Sequence, residues 1–204
     1  MAEQLRALRT TYSWVSGNRY LSLEEMENNA LIIYTIFNNL GYSLNAIAAM
    51  LGNMQQESTI NPGIWQNLKE ESAGGGGYGL VQWTPWTNFT DWADDNGYEW
   101  DNGEAQCEWI DSVTVPFGQW IKTSDYPISW DEFKTGDYDL NYLTTAFLKN
   151  FERAGTEKLE QRQTNALYWY EYISGSEPIT PPSPIPEPKK KKMPVWMMCN
   201  PIRF

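Results

Sequence analysis

The sequence contains no histidine. That absence removes Ser-His and Cys-His nucleophilic catalysis, histidine general bases and His-ligated zinc together. Acid–base chemistry in this chain must rest on carboxylates, tyrosine or lysine. Cysteine is scarce too. Cys107 and Cys199 are the two in 204 residues, which gives no basis for a disulfide framework. Cys107 and Ile110 lie three apart, on one face if the segment is helical, so Cys107 is expected to be a buried structural thiol. No apolar run is long. The longest, residues 30–37, is too short to cross a bilayer, and the polar, charged residues 1–12 do not read as a secretory signal. Positive charge is also in deficit, with a net charge of −11. Five of the 15 basic and two of the 26 acidic residues lie from Gly175 onward, which leaves 10 against 24, or −14, for residues 1–174. Such a surface argues against nucleic acid as a partner.

What the chain has is aromatic residues: 11 Trp, 12 Tyr and 7 Phe, more Trp than a core of this size needs. Helical periodicity dominates. Ser22 with Glu25 forms a predicted capping box opening a helix to about Leu40, with Ala30, Ile33, Tyr34, Phe37 and Leu40 on its apolar stripe. Ser43 caps the next helix, whose apolar face holds Leu44, Ile47, Ala48, Leu51 and Met54, and Asn61-Pro62-Gly63 closes the segment. Residues 64–83 read as a loop or small hairpin, with a mobile glycine run at 74–77. Thr84-Pro85 is expected to start another helix. Further helices are expected at 103–113, after the Ser129–Glu132 box, after Asp139 and after Thr156. The inner face of the last holds Leu159, Ala166, Leu167, Tyr170 and Ile173. The predicted fold is mainly α (α+β), a helical body over residues 1–174 with a small β or loop lobe inserted after the second long helix. Residues 175–188 contain six prolines and read as an extended linker. Residues 189–204 combine a four-lysine run with a short apolar end, which composition alone reads equally as a peptide docking on another protein or as a disordered end.

Two stretches carry the chemistry. In Asn53-Met54-Gln55-Gln56-Glu57-Ser58, Glu57 falls near a helix C-terminus, at the edge of the buried face. The partial negative charge of a helix end and partial desolvation both disfavour a carboxylate anion, so Glu57 is expected to hold a proton. That is the requirement for the acid in glycoside cleavage. In Gly77-Tyr78-Gly79-Leu80-Val81-Gln82-Trp83 the glycines permit close backbone approach to a ligand. Gln82 can bond sugar hydroxyls and acetamides, and Tyr78, Trp83 and Trp65 offer stacking faces. Glu70 and Glu71 read as a solvated loop pair. The acidic group Asp94, Asp95, Asp101 and Glu104 fits no calcium-loop template, and no cofactor is expected.

These stretches, with Asn61-Pro62-Gly63, Thr84-Pro85, residues 147–155 and 162–172, resemble the phage tail lysozyme family. The resemblance covers residues 28–174. It implies a lysozyme-like fold, a virion position at the tail tip and local digestion of host peptidoglycan during genome entry, and it maps the catalytic acid to Glu57 and a cleft-lining glutamine to Gln82. Virion tail proteins are then the expected partners of the C-terminal tail. The acidic surface would repel an anionic wall at long range, an objection that a tethered enzyme escapes. Relatives can carry a second, zinc-dependent endopeptidase domain, but peptide cutting is not expected of a chain without histidine. A muramidase, a lytic transglycosylase using the same acid, and a non-catalytic wall-binding tail module remain open on the sequence.

Overall fold

The computed structural model describes residues 12–176, apart from 72–74, 113, 117 and 154–157. The linker and tail read at 175–204 therefore lie outside it, except for Gly175 and Ser176. The predicted stop at Gly155 and cap at Thr156 lie outside it as well.

The described residues form α1 (Leu23–Asn39), α2 (Leu44–Ser58), α3 (Thr87–Asn96), α4 (Gly103–Ser112), α5 (Trp130–Thr135), α6 (Leu140–Ala146) and α7 (Leu159–Ser174). The protein is mainly helical, as the sequence predicts. Local chemistry accounts for most helix starts. Ser22 and Ser129 each form a complete capping box, with Glu25 and Glu132, and Ser43 and Asp139 cap α2 and α6. Each such cap satisfies orphan amides and contributes about 1 kcal/mol.

α2 is the central helix. Ile47, Met50, Leu51 and Met54 are fully buried, each contributing roughly 1.5–3 kcal/mol by leaving water. It packs chiefly against α7 and α6. Gly52 sets how close α7 comes. A β-carbon at this position would lie 2.7 Å from both the Ala166 side chain and the Arg162 carbonyl. No larger residue fits this crossing without moving the helices apart.

Three expectations need correction. Leu40 is 51% exposed, because it caps α1 where the chain turns outward at Gly41. Leu167 is also 51% exposed: the buried face of α7 runs through Arg162, Asn165, Ala166, Trp169 and Ile173, about 100° away. Polar residues occupy places that hydrophobic periodicity assigned to an apolar one. Thr84 does not cap a helix. Its hydroxyl donates to the Gln82 carbonyl, the Thr84–Pro85 bond is cis, and α3 begins at Thr87.

The inserted lobe contains no strand among the described residues. It holds a 3₁₀ turn (Gln66–Leu68) and isolated antiparallel bridges joining Tyr78 to Trp65 and to Trp83. Polar side chains brace the loops. Buried Asn29 bonds both backbone groups of Val15 and the Ile60 carbonyl, and the Asn61 amide donates to the carbonyls of Gly17 and Arg19.

Candidate active site

α2 carries Glu57 to within one residue of its end. The helix is stopped by Thr59 and Ile60, both at φ 54°. Two successive non-glycine residues in left-handed backbone are strained. The turn is held by Ser58, whose hydroxyl donates to the carbonyls of Met54 and, at 2.8 Å, Leu80 of the small lobe. Asn61-Pro62-Gly63, expected to stop the helix, follows this turn instead. The end of α2 is thus pinned directly to the opposite lobe.

Between the lobes runs a groove of about 810 Å³. Gln55, Gln56 and Glu57 form one side; Trp65, Gln82 and Trp83 contribute to the other. The Glu57 side chain is 23% exposed, accessible from the groove yet anchored behind. A second depression of about 500 Å³ shares Trp83, Asn88, Gln119, Phe151 and Arg153 with the first and extends toward Trp92 and Trp109.

The anchor behind Glu57 differs from the expected apolar surface. Arg162 of α7, itself buried, sets one terminal nitrogen of its guanidinium on Glu57 Oε1. Its other terminal nitrogen donates to Glu152 Oε2 at 2.9 Å and to Asn53 Oδ1 at 3.0 Å. The Gly52–Ala166 crossing brings this arginine opposite Glu57. Glu152 ends a π-helical segment, Phe147–Glu152, that continues α6 until Arg153 turns left-handed. The Glu152 side chain is 5% exposed and within hydrogen-bonding reach of Glu57. Burial pushes its carboxyl well above the usual range; the Glu57 charge adds to this and Arg162 opposes it. Glu152 and Arg162 fall inside the resembling segments, but their meeting with Glu57 was missed. No local pattern links residues 57, 152 and 162.

The other predicted site residues are brought to the small lobe with different exposures. Trp83 is 4% exposed and stacks on Phe89 at 4.8 Å, so it offers the groove little more than an edge. Trp65 is also buried and packs on Tyr78. Tyr78 does not line the groove. It is buried against Trp65 and Trp100 and borders a separate depression rimmed by Glu70, Asp94 and Asp101. The glycines also serve the fold. A β-carbon on Gly79, at φ 77°, would lie 2.6 Å from the Gln106 carboxamide. That carboxamide accepts from Leu80 N and donates to the carbonyls of Pro62 and Trp100. The close approach expected toward a ligand is made to the protein's own glutamine. Gln82, at φ 51°, lines the groove while its Nε2 donates to the carbonyls of Ile64 and Gly79.

Glu71 pairs with Lys69 at 3.6 Å, and neither Glu70 nor Glu71 reaches the groove. Cys107 is fully buried, as expected, and burial raises its thiol pKa. Among the described residues no group of three His, Cys, Asp or Glu side chains is placed to hold a metal, and no helix is long and apolar enough to cross a membrane.

A helical lobe that offers a glutamate from the end of its central helix to a groove, faced by a small aromatic loop lobe, defines a lysozyme-like, mainly α protein. The chain belongs to the phage tail lysozyme family, whose profile matches residues 28–173. It is 42% identical over 160 residues to morphogenesis protein 1 of Bacillus phage B103, an alignment covering 78% of this chain and 43% of that protein. The chain therefore spans less than half the length of this relative.

Proposed function

We propose that the protein cleaves the glycan strands of bacterial peptidoglycan, at the β-1,4 bond between N-acetylmuramic acid and N-acetylglucosamine, as a virion tail-tip enzyme during host entry. The observation that carries this reading is the partly exposed Glu57 carboxyl at the inner edge of a groove with room for several sugar rings. Glu57 protonates the glycosidic oxygen as the bond to C1 lengthens. Gln82 and the edges of Trp65 and Trp83 hold the sugars across from it, and the continuation toward Trp92 and Trp109 receives the extended strand. A positioned acid of this kind contributes about 10²–10⁴-fold in rate. Purified walls should release soluble fragments with the native chain, and Glu57→Gln should release them at least about 10²-fold more slowly. Equal release by that variant would remove the assignment.

A second reading, lytic transglycosylation, is favoured by one feature of the groove. Its only carboxylate residues among the described residues are Glu57 and Glu152, both on the helical side. Among the described residues no carboxylate lines this groove from the opposite side, where an inverting hydrolase needs one to activate a water; Asp91 and Asp95 line the adjoining depression instead. Attack on C1 by the sugar's own C6 hydroxyl, with its proton returned to Glu57, needs no second acid. Mass spectrometry of the products separates the two, by anhydro ends or reducing ends. Saturable wall binding with no fragments would indicate a non-catalytic tail module.

Virion proteins are the proposed partners of residues 189–204. Deleting these residues should leave wall cleavage intact and abolish incorporation into particles; unchanged incorporation would refute that role.

A further inference from the structure

The cluster behind Glu57 poses a problem of charge. A guanidinium resting on a carboxylate favours its anion, whereas the proposed chemistry needs a proton there. Glu152 supplies an answer from geometry. It is 5% exposed, shares Arg162 with Glu57, and lies within hydrogen-bonding reach of Glu57 itself. Its Oε1 is buried and receives no donor among the described residues. A buried carboxyl oxygen without a donor disfavours the anion, so Glu152 holds its proton more readily than an exposed glutamate. Among the described residues the charged groups acting on Glu152 are Glu57 from α2 and Arg162 from α7; Asn53, which also accepts from Arg162, is neutral.

We propose that Glu152 is the positioning residue that keeps a proton available to Glu57, the two carboxyls sharing one proton while Arg162 balances whichever is ionised. The inference rests on Glu57 being the acid. In one arrangement Glu152 holds the proton and Glu57 is the anion on Arg162. In the other, the O–H bond on Glu152 breaks, one forms on Glu57, and Glu152 becomes the anion facing the same guanidinium. The cluster is neutral in both, so the exchange moves no net charge through a buried site. When Glu57 gives the proton to the glycosidic oxygen, both carboxylates are ionised. The cluster then carries one negative charge beside the positive charge developing at C1. The attacking water or C6 hydroxyl returns a proton to Glu57 as its oxygen bonds to C1.

The test combines titration with kinetics on the full chain. With ¹³C-labelled glutamate side chains, the Glu152 carboxyl carbon of the native protein should titrate in two steps, one proton persisting at neutral pH. In Glu152→Gln the alkaline limb of kcat/KM for fragment release should move down by at least about one pH unit. Glu152→Asp should restore part of that shift. An alkaline limb unmoved by Glu152→Gln would overturn the proposal, since a purely structural role lowers activity at every pH alike. Should Glu152→Gln not fold, Glu57→Gln gives the same answer from the exposed side. Its Glu152 signal should fall toward the ordinary carboxylate range, and an unchanged midpoint overturns the pair. If the native chain releases no fragments, the glycan-cleavage reading fails, while the carboxyl titrations still decide the sharing.

Discussion

The two sides of the groove are built from different materials. The helical side is a charged cluster, Glu57, Arg162 and Glu152, held where α2, α7 and the π-helical end of α6 meet. The loop side is aromatic and amide: Trp65 and Trp83, and backbone bonded to the side chains of Gln82, Gln106 and Ser58. The first answers to pH, because the buried Glu152 carboxyl is titratable. The second does not, because amides and indoles keep their hydrogens across the physiological range. One side therefore suits reaction and the other suits holding a sugar polymer. The difference shows that a groove can divide these tasks between its walls.

Substitutions can break that division, beginning with the largest effect. Glu57→Gln keeps shape and removes the proton; fragment release should fall by about 10²–10⁴-fold, with the thermal midpoint close to native. Trp83→Ala attacks the other wall. Loss of a buried indole stacked on Phe89 should cost about 3–5 kcal/mol, read as a lower urea midpoint, with the pH profile of whatever activity survives unchanged. Gly52→Ala pushes α7 from α2 and should cost about 1–3 kcal/mol by overpacking; Ala166→Gly in the same chain should recover part of it and of the activity.

A pH experiment sharpens the contrast further. The Glu152 carboxyl is raised in the folded protein, so the folded state binds this proton more tightly than the unfolded one. Its contribution to stability is complete below the ordinary carboxylate value and is lost as pH rises through the folded value. Chemical denaturation should show native stability declining with rising pH in that window, and Glu152→Gln should flatten the decline. Glu25 has the opposite sign. Arg19 holds it down at about 2, so its share is present above the ordinary value and disappears as pH falls through about 2. The smallest effect is expected from Tyr78→Phe. Because Tyr78 lies off the groove, fragment release should change by less than about twofold, whereas Gln82→Ala should raise KM. Equal effects from the two would erase the distinction drawn between them.

Much of the architecture was legible in the chain. The serine and aspartate caps opened α1, α2, α5 and α6 as read, because a cap is made by residues three apart and needs no distant partner. Glu57 was placed correctly near the end of its helix for the same reason. The small lobe was harder. Tyr78, Trp83 and the glycines read as facing a ligand, but Tyr78 packs on Trp65 and Trp100, Trp83 gives the groove only an edge because it stacks on Phe89, and Gly79 lies against Gln106. Nothing in a short aromatic segment distinguishes an inward ring from an outward one. Leu167 failed because periodicity ranks residues by polarity, and α7 buries Arg162 and Asn165 instead.

The sequence by itself determined the helices, their caps, the acidic body without histidine, and the glutamate to which the chemistry is assigned. These follow from composition and from contacts between near neighbours. Only the tertiary structure decided what stands behind that glutamate. Arg162 reaches it across more than a hundred residues, and Glu152 meets both because Gly52 lets two helices touch. A proton's location depends on charges a few ångströms away in space, and chain separation does not report that distance.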